Sequence, residues 1–157
     1  MDITINYANL YGIVERSLSI IAKRSVDDHG NPLFDNITLG SRETEIVSDF
    51  IKTASVDLAT ETSAFITAST DNSITLTFPT NHNAALENFI QKACDGYCVS
   101  YALYSWLTVT APRLAEKYQG DCNRNLSAVI RLVNDKKAPG GTTDVLATST
   151  TVTETQN

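Results

Sequence analysis

The chain has 157 residues, of which 42% are hydrophobic and 19% charged, a composition that fits one globular domain and excludes collagen-like, coiled-coil and disordered chains. Its net charge of −6 and scattered Lys and Arg residues argue against tight nucleic-acid binding, which needs clustered cations. Three cysteines are too few for a disulfide scaffold, and no apolar run could span a bilayer or serve as a signal peptide, so we expect a soluble protein in a reducing cytosol.

Two segments of the first 60 residues carry apolar side chains every three or four positions, which is typical of helices with one buried stripe. We predict helices over residues 6–24 and 42–60, the second with Ser41 as its N-cap. Residues 25–40 between them are rich in turn formers and are predicted to be a loop. Four apolar residues are expected to hold this loop to the body, namely Leu33, Phe34, Ile37 and Leu39.

A change of hydrophobic period from 3.6 to 2 marks residues 63–79. Ile74, Leu76 and Phe78 alternate with threonines, and a turn-forming Thr-Asp-Asn-Ser sequence precedes them. This pattern predicts a β-hairpin.

Two long helices are predicted after the hairpin, over residues 82–109 and 111–135. The fold class is therefore mainly α, a bundle of about four helices with an inserted hairpin. Residues 1–137 form this helical domain, and residues 138–157 form an extended C-terminal tail. Such a tail cannot bury enough surface to fold alone and could be a disordered end. Threonine and valine favour strands, however, so the tail could instead add as a strand to a neighbouring chain or dock on its own body.

Chemistry-bearing motifs are sparse. Asp27, Asp28 and His29 could be metal ligands or the residues of a small active site, but a tight turn selects the same types. Three cysteines, Cys94, Cys98 and Cys122, could share a metal, but all lie on apolar stripes and are better interpreted as small buried hydrophobes. We therefore expect no cofactor and no enzymatic activity.

The order of elements resembles the head-tail connector proteins of tailed bacteriophages, also called adaptor or head-completion proteins. The resemblance is carried by the opening helix from Tyr7 to Arg24, the Thr-rich hairpin from Phe65 to Phe78, and the two long C-terminal helices. It implies a virion structural protein, assembled in the host cytoplasm, that forms a ring of typically twelve copies beneath the portal. In such rings hairpins line or bridge the channel, and C-terminal tails embrace the portal or a neighbour.

Charge distribution agrees with this resemblance. Residues 25–80 carry 9 acidic and 2 basic groups, and an anionic channel wall would repel phosphate and let DNA pass without specific binding. The same segment could instead be an ordinary solvated face. The predicted contact residues are Val145, Leu146 and Val152 in the tail, Leu76 and Phe78 in the hairpin, and Glu43, Glu45, Asp49 and Asp57 on the acidic surface. The alternative function is a small helical protein-binding or regulatory module that acts as a dimer.

Overall fold

A computed structural model describes residues 1–31, 33, 37–40, 43–78 and 84–134 of the chain. Within these residues, four α-helices pack with a small three-stranded antiparallel sheet, which confirms the predicted mainly helical class. The elements in chain order are β1 (Asp2–Asn6), α1 (Tyr7–Arg24), α2 (Thr44–Thr62), β2 (Phe65–Ser69), β3 (Ser73–Thr77), α3 (Glu87–Thr110) and α4 (Pro112–Asn134).

Three of the four predicted helices match the structure to within one or two residues at each end, because local signals determine their ends. The Asn6 side chain caps α1 by accepting the backbone N–H of Asn9 at 3.0 Å. Lys23 and Arg24 lie in the last turn of α1, where the helix dipole favours cations. The exception is α3, which starts later than predicted because a single 3₁₀ turn, Ala84–Leu86, precedes it.

Strand β1 was not predicted. It pairs antiparallel with β3, so that Ile3 lies opposite Leu76 and Ile5 opposite Ile74. All four side chains are buried and form the face of the sheet that meets the helices. The predicted hairpin is therefore two strands of a three-stranded sheet in the order β1-β3-β2, with β3 at the centre.

Threonines occupy the opposite, outer face of the sheet. The hydroxyl of Thr4 lies 3.2 Å from that of Thr75, and Thr67 and Thr77 make the same contact at 3.0 Å. Cross-strand hydroxyl pairs of this kind stabilise a sheet and suit a face in water. The sheet thus has one apolar face that belongs to the core and one polar face.

Helices α3 and α4 form an antiparallel hairpin joined at Ala111. The Asn125 side chain of α4 packs against Gly96 of α3, where an added Cβ atom would lie 3.2 Å from it. The same Asn125 amide donates to the Ser100 hydroxyl at 3.1 Å. This contact fixes the register of the two helices and places the end of α4 level with the start of α3.

The long loop before α2 is anchored by Ile37, as predicted. The Ile37 side chain is buried, and the indole Nε1 of Trp106 donates a hydrogen bond to its carbonyl oxygen at 2.9 Å. Leu39 packs against the core as well, whereas Leu33 is exposed and does not serve as an anchor. The prediction for Phe34 lies outside the described residues.

Trp106→Phe is expected to destabilise the protein by about 1–3 kcal/mol, because it leaves the buried Ile37 carbonyl without its donor. Thermal unfolding should register a fall in Tm of a few degrees. Phe89→Leu, at an exposed position on the same helix, is the matched control and should change stability by less than about 0.5 kcal/mol. Equal melting temperatures for Trp106→Phe and the wild type would show that the loop does not depend on this bond.

Candidate interaction surfaces

An acidic cleft lies between the first turn of α1, the N-terminal half of α2 and the turn that joins β2 to β3. Its volume is about 560 Å³, and it is open to solvent. Two of the predicted acidic residues, Glu45 and Asp49, line it one helical turn apart, and Asp71 of the hairpin turn faces them. We call this surface the acidic cleft, lined by Tyr7, Ala8, Tyr11, Thr44, Glu45, Ser48, Asp49, Lys52, Asp71 and Asn72.

Hydrogen bonds between elements hold the walls of the acidic cleft. The Tyr11 hydroxyl lies 3.1 Å from the Thr44 hydroxyl, and the backbone N–H of Tyr7 donates to the Asn72 carbonyl oxygen at 2.9 Å. Among the described residues of the lining, Lys52 is the one cation, and its Nζ lies 3.7 Å from an Asp49 carboxylate oxygen. An exposed pair of this kind contributes little stability. The described lining holds three carboxylates and one ammonium and therefore carries a net negative charge.

The other two predicted acidic residues are not part of this cleft. Glu43 precedes α2, where its carbonyl oxygen accepts the N–H of Val47. Asp57 lies on the side of α2 that faces α3, near Tyr97 and Tyr101. Burial is the largest cause that raises the pKa of Tyr101, and the nearby negative charge of Asp57 is the next largest. The four carboxylates predicted as one acidic surface are therefore distributed over three places.

A basic groove lies at the other end of α1, between its C-terminal half and the first turns of α4. It has a volume of about 390 Å³, and the described residues of its lining include three cations, Arg24, Arg113 and Lys117, and no carboxylate. Its apolar part includes Ile20, which is exposed. The complete lining of the basic groove is Ser17, Ile20, Ile21, Arg24, Ser25, Arg113, Leu114, Lys117 and Tyr118.

The sequence alone does not reveal this groove, because its cations come from helices about 90 residues apart in the chain. Neither helix carries a basic run by itself. The available signal was local: Arg113 and Lys117 are four residues apart and therefore share one face of α4.

The predicted hairpin contacts need correction. Leu76 and Phe78 are 0% and 1% exposed, and both belong to the core of the chain itself. They face inward because β3 is the central strand, covered by the helices. The exposed apolar side chains of the hairpin are instead on β2, where Phe65 is 69% and Ile66 is 46% exposed.

The Asp27 carboxylate organises a turn, in agreement with the turn interpretation of this loop. Its Oδ1 accepts the backbone N–H groups of His29 and Asn31 at 2.9 and 2.7 Å, and its Oδ2 accepts the Asn31 side chain. These hydrogen bonds, those from Asn31 first, lower the pKa of Asp27. Gly30, with a φ of 80°, completes the turn in a conformation that favours glycine.

The cysteines are free and buried, as expected for small hydrophobes. Burial raises the pKa of Cys94, and it raises the pKa of Cys98 to about 12. Metal binding and nucleophilic chemistry need the thiolate, which these surroundings disfavour. Among the described residues, no group of three or more His, Cys, Asp or Glu side chains is arranged to hold a metal ion.

The predicted tail contacts, Val145, Leu146 and Val152, lie outside the described residues. Within the described part of the chain, no helix combines the length and apolar character needed to cross a membrane. Comparison of the chain with family models, with curated proteins and with solved structures finds no match.

Proposed function

We propose that this chain is a non-enzymatic virion structural protein that assembles into a ring at the phage head-tail junction. In this proposal it bridges portal and tail and contributes to the wall of the DNA channel. The observation that supports it best is the placement of two surfaces of opposite charge at opposite ends of α1. The acidic cleft includes Tyr7 and Tyr11 near the start of this helix, and the basic groove includes Ile20 and Arg24 near its end.

Opposite charges at two different places on one subunit favour a head-to-tail contact. When the acidic cleft of one copy meets the basic groove of the next, each subunit uses one surface of each kind, and a rotation that closes produces a ring. An isologous dimer would use one self-complementary patch instead. Charge complementarity of this kind also suppresses wrong partners and sets the register of the contact.

The chemistry of the surface agrees with a structural role beside DNA. The acidic side chains outside the contact keep residues 25–80 anionic, and an anionic wall does not retain phosphate. The three cations of the basic groove are covered by the neighbour in the proposed ring, so DNA in the channel does not meet them. Specific DNA binding is therefore not part of the proposal.

Native mass spectrometry and negative-stain electron microscopy test the ring. We expect a closed assembly of about twelve chains, formed alone or on addition of the portal protein encoded in the same genome. Two copies per assembly, with or without portal, would favour the dimeric protein-binding module in its place. A chain that stays monomeric in the presence of portal would contradict both functions.

Charge reversal tests the proposed contact. Arg113→Glu with Lys117→Glu should abolish the assembly while leaving helicity unchanged, because the groove then repels the acidic cleft of the neighbour. Mixing this variant with a second one that carries Glu45→Lys and Asp49→Lys should restore part of the assembly. Arg131→Glu, an exposed position on α4 outside the groove, is the matched control and should assemble normally. Normal rings from the Arg113/Lys117 variant would exclude the groove as the contact.

A further inference from the structure

The acidic cleft continues into a second cavity along α2. This second cavity has a volume of about 330 Å³, and its lining shares Tyr7, Lys52 and Asp71 with the acidic cleft. Its far end is apolar, because Val56 of α2 and Ile74 of β3 line it. We call the two cavities together the α2 groove. The described lining of the second cavity is Tyr7, Lys52, Val56, Ser69, Thr70, Asp71 and Ile74.

One face of α2 forms a wall along the whole length of this groove. Four of its residues lie in one line on the helix, since they follow one another at intervals of four, three and four residues. We call this line the α2 stripe; it consists of Glu45, Asp49, Lys52 and Val56. It begins with two carboxylates and ends, about three turns later, with Val56, which is 48% exposed. A groove of this kind fits a partner helix that is basic at one end and apolar at the other.

The outer side of α1 carries a line with the same intervals and the complementary chemistry. We call it the α1 stripe; it consists of Ile13, Ser17, Ile20 and Arg24. Ile13 and Ile20 are 38% and 52% exposed, although the aliphatic side chains of a surface helix typically face the core. The stripe ends with exposed Arg24, beside the other two cations of the basic groove.

The two stripes of one chain do not meet. The first turns of α1 already form a wall of the α2 groove through Tyr7 and Tyr11, and the Tyr11 hydroxyl lies 3.1 Å from that of Thr44 in α2. Farther along the same helix Ile13 is exposed, and so is Val56 at the end of the groove. A helix that forms one wall cannot also lay its outer side into the groove. The occupant with a matching stripe is therefore the α1 of a second copy.

We propose that the α1 stripe of one copy packs antiparallel along the α2 stripe of the next copy, within the α2 groove. The inference deepens the proposed head-to-tail contact and rests on it. Arg24 then lies opposite Glu45 at the acidic end. Ile13 lies opposite Val56 at the apolar end, because the two ends of each stripe are eleven residues apart.

The charge pattern selects the antiparallel direction. A parallel arrangement would fit the same intervals, but it would place the apolar end of each stripe against the charged end of the other. It would then cover Glu45 and Arg24 without a partner, which costs more than the contact returns. The contact joins two different faces of the subunit, so it is heterologous, as a closed ring requires.

Disulfide cross-linking between two co-expressed, differently tagged full-length variants tests the contact and its direction. One variant carries Ile13→Cys and the other Val56→Cys, so a link between them joins two chains. The native cysteines are buried. After mild oxidation we expect a yield at least about tenfold above that of Ile13→Cys with Glu45→Cys, the pair that the parallel direction would bring together, because a disulfide needs adjacent Cβ atoms.

A matched control moves the second cysteine to another side of α2. Glu61 is exposed but lies away from the α2 stripe, so Ile13→Cys with Glu61→Cys should give no more than about a tenth of the Ile13–Val56 yield. Equal yields for Val56→Cys and Glu61→Cys would show that the links arise from random collisions, and would overturn the proposed contact.

A second measurement does not depend on introduced cysteines. Val56→Asp should raise the protein concentration needed for assembly at least about tenfold, because it places an unpaired carboxylate against Ile13 of the neighbour. Val56→Ile should assemble as the wild type does. Since Val56 is half exposed in the single chain, both variants should keep wild-type helicity. Equal assembly of Val56→Asp and the wild type would overturn the apolar end of the contact.

Native mass spectrometry of the same samples separates this inference from the ring itself. Rings that link through Glu45→Cys instead of Val56→Cys, or through neither, overturn the antiparallel contact and leave the proposed function standing. Ile13–Val56 links in samples that contain only dimers support the contact between the helices and contradict the ring.

Discussion

Leu76→Asp is expected to abolish folding, whereas Phe65→Asp in the same hairpin is expected to leave the fold intact. Leu76 is wholly buried between the sheet and the helices, and a carboxylate there has no partner. The loss of apolar burial plus the cost of a buried charge is comparable with the whole stability of a domain, about 5–15 kcal/mol. Phe65 projects from the outer face of β2, where aspartate remains in water.

Alanine substitutions at the same two positions allow the difference in the free energy of unfolding to be measured. Leu76→Ala should lower the free energy of unfolding by about 2–5 kcal/mol, through lost burial and the cavity left behind. Phe65→Ala should change it by less than about 1 kcal/mol. Urea unfolding followed by circular dichroism measures both. A Leu76→Asp protein with wild-type helicity and stability would show that the helices do not cover β3.

The contrast between Leu76 and Phe65 shows where sequence reasoning about this fold stops. The alternation of Ile74, Leu76 and Phe78 correctly indicates a strand with one apolar face, because that pattern is local. Which elements cover this face cannot be determined from the local pattern. Strand β1 comes from about 70 residues earlier in the chain and lies beside β3, where it completes the apolar face. Its two isoleucines are too short a pattern to identify the strand from the sequence alone.

The acidic cleft likewise combines residues that the sequence predicts as neighbours with a residue that only tertiary packing brings to them. Glu45 and Asp49 could be predicted as neighbours because they are one helical turn apart on α2. Asp71 completes the acidic cleft only after the hairpin has folded back over the start of α1. Helix faces and most helix boundaries therefore follow from the sequence, although the N-cap of α2 is Glu43 and not the predicted Ser41. Clefts built from three separate elements depend on tertiary packing.

Alkaline unfolding is the second large expected effect. Burial is the main reason that the pKa values of three core groups are raised. It raises the pKa of Cys94, with a smaller contribution from Cys98, and it raises the pKa of Tyr97. Burial also raises the pKa of Cys98 from its ordinary 9.0 to about 12. The Cys98 thiol lies wholly inside the core, where its Sγ is 3.7 Å from the Ser55 hydroxyl. In the unfolded chain these groups lose their protons near their ordinary pKa values. Between pH 9 and 12 the folded state therefore binds more protons than the unfolded state, and stability falls as pH rises.

For Cys98 alone, the raised pKa corresponds to about 4 kcal/mol of folding stability, which is fully present below pH 9 and lost by about pH 12. That loss is a large fraction of the stability of a domain this size, and Cys94 and Tyr97 add to it in the same direction. We therefore expect urea midpoints that are constant from pH 7 to 8.5 and decrease steeply above pH 9, with cooperative unfolding before pH 12.

Cys98→Ala separates this titration from general alkaline damage. The variant should be less stable than the wild type at pH 8, because it leaves a small cavity in the core. Its stability should nevertheless fall less steeply above pH 9, so that the difference between the two proteins shrinks or reverses by pH 11. Parallel pH profiles for the two proteins would contradict the assignment, since the Cys98 thiol would then ionise alike in the folded and unfolded states.

Reaction of the native thiols with a disulfide reagent at pH 8 provides an independent check. It should proceed only as fast as the core opens, because the thiolate that reacts is disfavoured while Cys94 and Cys98 remain buried.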